Sequence, residues 1–334
     1  MISTPRKWLF LPAILALIFF FTLDLILGSI DIPLKEFFHF IQGDSSTSIY
    51  REILLNYRLP KAITAIIAGA SLSLSGLMMQ TLFRNPLADP YILGVSSGAG
   101  LGVAITLMAS AFLPAVLISS SWGTVLAAVI GASAILLLVI LVSFRLHNNI
   151  SLLIVGIMFG TIASSIVSIL QNFANPDAIK LYVLWTFGSL SAVNWNNLQV
   201  LAPVFITGSI LAFYLHKKSD GLLLGENYAR GLGINIQSTR ILLVLATGLL
   251  AGSVTAFTGP IAFVGVAIPH IARGIFKTSA HKILMPASYL LGGILVLICD
   301  IISQLPEYTL PINIISSLFG APIIIWIILK KSVR

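Results

Sequence analysis

Ten apolar blocks, at residues 8–28, 62–83, 91–117, 122–144, 150–173, 197–215, 240–258, 261–276, 283–304 and 311–329, leave little of the chain for anything else. Most approach the roughly 20 apolar residues that cross a bilayer as an α-helix. The block at 261–276 is short and holds Pro269, so its bounds are the loosest. Hydrophobic residues make up 57% of the 334 and charged residues 9%, against roughly 25% charged in a soluble domain. No water-soluble fold of this length hides so much apolar side chain, so lipid must cover part of it. The chain therefore reads as an all-α polytopic membrane protein of about ten spans, one membrane domain over 1–334. The run from Trp8 to Gly28 follows Arg6 and Lys7. It exceeds the roughly 7–15-residue core of a signal peptide and reads as a retained span.

Charge sets the orientation. With the N-terminus cytoplasmic, 14 of the 19 Lys and Arg fall inside, leaving Lys35, Arg51, Arg58, Lys61 and Lys180 outside. An odd number of spans would scatter them, so both termini are expected in the cytoplasm. The net charge of +8 does not point to nucleic acid, because the basic residues lie between apolar blocks rather than on one element. Two polar gaps stand out. In 29–60, Leu34, Phe37, Phe38 and Ile41 are spaced for a short interfacial helix. The longest cytoplasmic connection is 216–239. At an offset of 183, Ala68-Gly69, Ser75-Gly76 and Pro86 recur as Ala251-Gly252, Thr258-Gly259 and Pro269, which is either an inverted-topology repeat or coincidence.

Enzyme signatures are sparse. No glycine precedes a lysine, so there is no phosphate-binding P-loop. The five histidines have no ligand spacing, and Cys299 is the sole cysteine, set in an apolar run. The run from Gly94 to Gly102 suits close helix packing. On the fifth span Gly156, Gly160, Thr161, Ser164, Ser165, Ser168, Gln171 and Asn172 share one half of the helical wheel. That half is either a packing seam or the wall of a transport pathway. Gly69, Ser73, Gly76 and Gln80 form a tighter stripe on the second span, read as packing with Gln80 bonded to a neighbour. Asp24 and Asp300 fall near the outer ends of their spans, where an acid reaches the headgroups or serves a function. With no basic residue placed beside them, they make a poor proton relay.

Longer runs carry a resemblance. They are Arg58-Leu-Pro-Lys61, Gln80 to Pro90, Leu93 to Gly98, Leu224 to Gly233, Phe257 to Gly265, Ile268 to Arg273, Leu310-Pro311 and Gly320-Ala-Pro322. In this order the chain resembles the FecCD-like permeases of type II ABC importers, which carry iron–siderophore, haem and cobalamin. The resemblance implies a permease subunit that binds no cofactor. ATP and Mg would belong to two cytoplasmic ATPase subunits, and a second permease copy and an extracytoplasmic binding protein would complete the assembly. It implies a coupling helix at Leu224, Gly225, Glu226, Ala229, Arg230 and Gly231, with Ala229 on the docking face. Independently, Gly225 can open a helix, Glu226 suits its N-terminal end and Gly231 can close it. Arg58 and Lys61 match positions that pair with carboxylates on the binding protein; their other reading is headgroup anchoring. Gln304 and Thr309 depart from the charged residues the family often has there. Asn149 falls in the family's inner gate region, and Ser164, Ser168, Gln171 and Asn172 are the candidate pathway residues. The expected site is the bacterial inner membrane. An ion-coupled secondary carrier is the alternative from another class, and a membrane-embedded enzyme a further one.

Overall fold

The computed structural model describes residues 6–28, 30, 32–42, 49–109, 121–146, 148–305 and 309–332. Every regular element among them is helical. Seven helical stretches are long and apolar enough to span a membrane, and Val95–Met108, Val264–Phe276 and Ile312–Ile325 are shorter apolar helices. Together they match the ten expected blocks; the end of the third, 110–117, lies outside the described residues.

We number the helices α1 (Phe10–Ile26), α2 (Leu34–Ile41), α3 (Ile49–Ile53), α4 (Leu59–Leu82), α5 (Val95–Met108), α6 (Ser121–Ser143), α7 (Asn149–Phe173), α8 (Pro176–Thr186), α9 (Trp195–Tyr214), α10 (His216–Leu223), α11 (Glu226–Gly231), α12 (Ile236–Thr247), α13 (Ser253–Thr258), α14 (Val264–Phe276), α15 (His281–Gln304) and α16 (Ile312–Ser332). Single π-helical turns, Leu54–Arg58 and Gly248–Gly252, join α3 to α4 and α12 to α13. Trp195 Nε1 donates to Leu55 O at 2.8 Å, serving a carbonyl within the first of these turns.

The core is built around α4, which packs against α9, α12, α14 and α15 and is buried along almost its whole length. Its stripe of small residues explains how. A Cβ on Gly69 would lie 2.0 Å from Gly292 O, and one on Gly76 1.9 Å from Gly265 O, so the backbones touch where only hydrogen fits. Ser73 Oγ donates to Ser288 O at 2.8 Å, and Gln80 Nε2 to Val266 O at 3.2 Å. The packing reading of this stripe holds. So does that of the glycine run: Gly98 and Gly102 pack against backbone of α6 at Gly131 and Ala127.

The offset-183 echo does not survive as local structure. Gly76 lies inside α4, whereas Gly259 (φ 74°) ends α13; Pro86 follows a helix, whereas Pro269 is within one. At Gly259 the chain breaks inside the apolar body before α14 begins, and buried irregular backbone needs partners there. It finds them: Ile261 N donates to Tyr91 Oη at 3.2 Å and Ala262 N to Asn313 Oδ1 at 3.1 Å. Ser189 N donates to Thr258 O at 2.7 Å.

Candidate functional site

Beside this break lies a cleft of about 320 Å³ between α5, α7 and α8. Ser164, Ser168 and Gln171 of α7 line one wall, Ser96, Ser97 and Gly100 of α5 another, and Tyr182, Trp185 and Thr186 of α8 close it over Pro260. The polar half of the fifth span is therefore divided. Gly156 packs against Ile92 and Leu93, and Gly160 against Gly94 and Ser97, so its first half is a seam. Farther along, Ser164 and Ser168 face the cleft, whereas Thr161 and Ser165 lie outside its lining. Thr161, Ser165 and Ser168 each donate to the carbonyl four residues back, at 2.9–3.1 Å. Asn172 is exposed and outside the cleft lining, and Asn149 lies at the other end of the helix.

Helix α8 was not foreseen, since 174–196 read as a connection. The signal was present. Asn175 caps the helix by accepting from Ala178 N at 2.8 Å, Pro176 takes the first position and Asp177 the first turn. Its aromatic pair Tyr182–Trp185 (centroids 6.3 Å apart) gives the cleft its only flat surfaces among the lining residues named here. Ser96, Ser97 and Gly100 were assigned to packing; the same helix serves both, with Gly98 and Gly102 on its other side.

At the expected outer ends of α1, α4 and α15 a second polar cluster is closed to solvent. Lys61 Nζ lies 2.9 Å from Asp300 Oδ2, with both side chains under 10% exposed. Gln304 Nε2 donates to Asp300 Oδ2 at 2.9 Å and to Asp24 Oδ1 at 3.3 Å. Arg58 Nη1 donates to Leu25 O at 2.8 Å and Ile26 O at 2.6 Å, and Nη2 to Ile30 O. A guanidinium here caps the negative end of α1. Arg58 and Lys61 are thus turned inward and are not rim charges offered to a binding protein, because each has found its counter-charge or carbonyls within the chain. The two acids do not reach for headgroups either. Asp24 and Asp300 are buried; Lys61 pairs with Asp300, and Gln304 bridges Asp300 to Asp24.

On the opposite side, α11 starts at Gly225 and has Gly231 as its last residue, as expected, but the positive-φ glycine beyond its end is Gly233 and not Gly231. Gly225 (φ 118°) is the N-cap, Glu226 the first residue and Gly233 (φ 78°) follows the end. Ala229 is fully buried against α10 near Gly221, which corrects its placement on a docking face. Six residues make barely two turns, and the packed side is the one that meets Gly221 and Ile234. Tyr228 (57%) is exposed on α11, and Leu224 (64%) and Leu232 (58%), which flank the helix on either side, are exposed too; the three make the exposed apolar ridge of this segment, with Arg230 also exposed and Gly231 open. Sequence reasoning missed Tyr228 and Leu232.

Nearby, His281 joins three elements. Its Nδ1 and backbone N lie 2.7 and 2.8 Å from Asp220 Oδ1, and Nε2 lies 2.8 Å from Thr81 Oγ1. Burial pushes the Asp220 carboxyl up, but the hydrogen bonds and charge of His281 outweigh it and hold it below the usual range. Among the described residues no group of three or more His, Cys, Asp or Glu could hold a metal ion.

A membrane body of ten apolar helices, a broken helix in its interior and a polar cleft at the break define a helical permease. The profile of the FecCD transport family matches residues 16–330, and the chain belongs to that family. It is 34% identical over 91% of its length, and 88% of the relative's, to an uncharacterized ABC transporter permease protein, YvrB, of Bacillus subtilis. It is 32% identical to the hemin transport system permease HmuU of Yersinia pestis, covering 92% of each chain. To the vitamin B12 import system permease BtuC of Salmonella arizonae it is 35% identical, covering 87% of each. A solved metal-chelate type ABC transporter in an inward-facing conformation superposes with a TM-score of 0.85 at 27% identity, covering 97% of this chain and 100% of that one.

Proposed function

We propose that this chain is the membrane-spanning permease subunit of an ATP-driven importer for a bulky chelate, in the class of ferric siderophores, haem and cobalamin. The observation that carries the reading is the cleft of Ser96, Ser97, Ser164, Ser168, Gln171, Tyr182 and Trp185 inside an otherwise apolar body. Hydroxyls, an amide and aromatic faces can follow a large polar cargo with weak contacts and hold it with none, which suits a passage better than a storage site. About 320 Å³ is small for such a cargo. A second copy of the chain placing its own cleft opposite would supply the rest, and α7 keeps Ile162, Ile166 and Ile169 exposed for a neighbour or lipid.

Two cytoplasmic ATPase subunits would dock on the ridge of Leu224, Tyr228 and Leu232. A binding protein would deliver cargo on the opposite face, where Lys35 and Lys180 are exposed and where Arg58 and Lys61 keep the ends of α1, α4 and α15 in place. Both termini lie in the cytoplasm of a bacterial cell, and the chain sits in its inner membrane. ATP is hydrolysed by the partners. The test is uptake of radiolabelled cyanocobalamin, haemin and ferric siderophores in cells lacking this chain. One class should fall to background and return with the wild-type gene. Undiminished uptake of every class would overturn the reading.

A further inference from the structure

One carboxylate on the cytoplasmic side connects elements that lie far apart in sequence. Glu226, the first residue of α11, accepts a hydrogen bond from Asn149 Nδ2 at 2.8 Å. Its oxygens lie 3.5 Å from Arg240 Nη2 and 3.8 Å from Arg230 Nη2. The Asn149 amide also donates to Leu82 O, the last residue of α4, at 2.9 Å. Arg240, on α12 and with its side chain only 2% exposed, donates from Nη1 to Leu146 O at 2.8 Å. The end of α4, the segment leading into α7, the start of α11 and α12 therefore meet at Glu226.

Asn149 is the first residue of α7, whose far half carries Ser164, Ser168 and Gln171. At about 1.5 Å per residue, roughly 22 Å of unbroken helix separate Asn149 from Ser164. A pull on its first turn is thus delivered to the cleft. Glu226 differs from the sealed Lys61–Asp300 pair in being 24% exposed. Its bonds can therefore break and re-form at modest cost, because water can take over. Two polar atoms of the cluster, Asn149 Oδ1 and Arg240 Nε, are buried without a hydrogen-bond partner. Such atoms are uncommon and mark a place not at its hydrogen-bonding optimum, as a junction with a second arrangement would be.

Resting on the reading that α11 receives an ATPase subunit, we infer that Glu226 is the positioning residue that passes the motion of α11 to α7 through Asn149, with Arg240 holding its carboxylate in register. An Arg240–Glu226 pair alone would fasten α11 to α12. The bond to Asn149 adds what a fastening does not need, a direct link from docking helix to cleft helix.

The experiment uses the full complex with its ATPase and binding protein in proteoliposomes, reading ATP hydrolysis and uptake of labelled cyanocobalamin, haemin and ferrichrome together. Asn149→Ala should hydrolyse ATP at close to the wild-type rate while cargo carried per ATP falls about tenfold. Glu226→Gln keeps an oxygen for Asn149 and should retain most of the ratio, whereas Glu226→Ala should lose it. The double Glu226→Ala/Asn149→Ala variant should be no worse than either single one, since both cut one link. Melting temperatures show whether the variants fold. A purely structural role would lower stability and hydrolysis together and leave the transport-to-ATP ratio unchanged. That result, or multiplying losses in the double variant, overturns the inference while the permease reading stands. A wild-type complex without ATP-dependent uptake of any of the three sinks both.

Discussion

Lys61 and Asp300 are opposite charges 2.9 Å apart with almost no water to share. Their attraction offsets a large desolvation cost, so the pair matters chiefly through what happens when it is split. Lys61→Met leaves the carboxylate of Asp300, bridged to Asp24 by Gln304, without its ammonium. We expect a loss of about 3–5 kcal/mol, read as a lower melting temperature by tryptophan fluorescence in detergent. Lys61→Met/Asp300→Asn should regain most of it, because the unpaired charge goes too. A double variant as unstable as the single one would assign Lys61 a role beyond neutralisation. This pair was within reach of the sequence. Topology alone put Lys61 at the start of one outer span end and Asp300 at another, with opposite signs. What the linear chain could not show is that α4 and α15 are neighbours there, which follows from the glycine contact of Gly69 with Gly292.

At the scale of an element, α11 shows what local signals do and do not settle. Its start at Gly225 and its end are legible, because a backbone at φ 118° and a free first turn need particular residues. The direction it faces is not. Alanine is small enough for either side, and its burial depends on Gly221 and Ile234 from flanking elements. Two substitutions separate the sides. Ala229→Asp forces a charge into the chain's own packing and should lower yield and melting temperature, by several kcal/mol if the charge stays unpaired. Tyr228→Asp changes only the exposed ridge, so folding should be unaffected while ATPase stimulation by the binding protein falls about tenfold or more, as for a central interface aromatic. Size-exclusion profiles and stimulated ATPase rates check both. A Tyr228→Asp protein with full stimulation would remove the ridge from the docking surface. The same logic holds for α4: Gly76→Val places carbon within about 2 Å of Gly265 O. It should prevent the α4–α14 approach altogether, seen as loss of a monodisperse peak.

For the molecule as a whole, number and class of spans followed from hydropathy because lipid imposes length and backbone satisfaction on every crossing. The cleft did not follow, because its walls come from three helices and one of them, α8, is too short to register as a span. The half-polar face of α7 was its trace, and two readings of that face were open. The seam reading holds at Gly156 and Gly160, and the pathway reading is the one proposed for Ser164, Ser168 and Gln171. Cysteines introduced singly in a Cys299→Ala background distinguish them. Cys299 is fully buried, so its removal should leave uptake intact and the background silent. At Ser164, Ser168 and Gln171, which line the cleft, a charged water-soluble thiol reagent should react readily. At Gly156, where an added Cβ would lie 2.9 Å from Leu93 Cα, a cysteine should disturb folding rather than react. At Ile162 and Ile169, exposed on the apolar side, it should stay unlabelled by the charged reagent but react with a lipid-soluble one. Because a passage must open to each side in turn, adding ATP and a loaded binding protein should change the rates at the three cleft positions and leave the apolar pair as it was. If the three positions stay protected in every nucleotide state, the cleft is closed packing and cargo passes elsewhere. If they react equally in every state, it is an open surface that the ATPase does not gate.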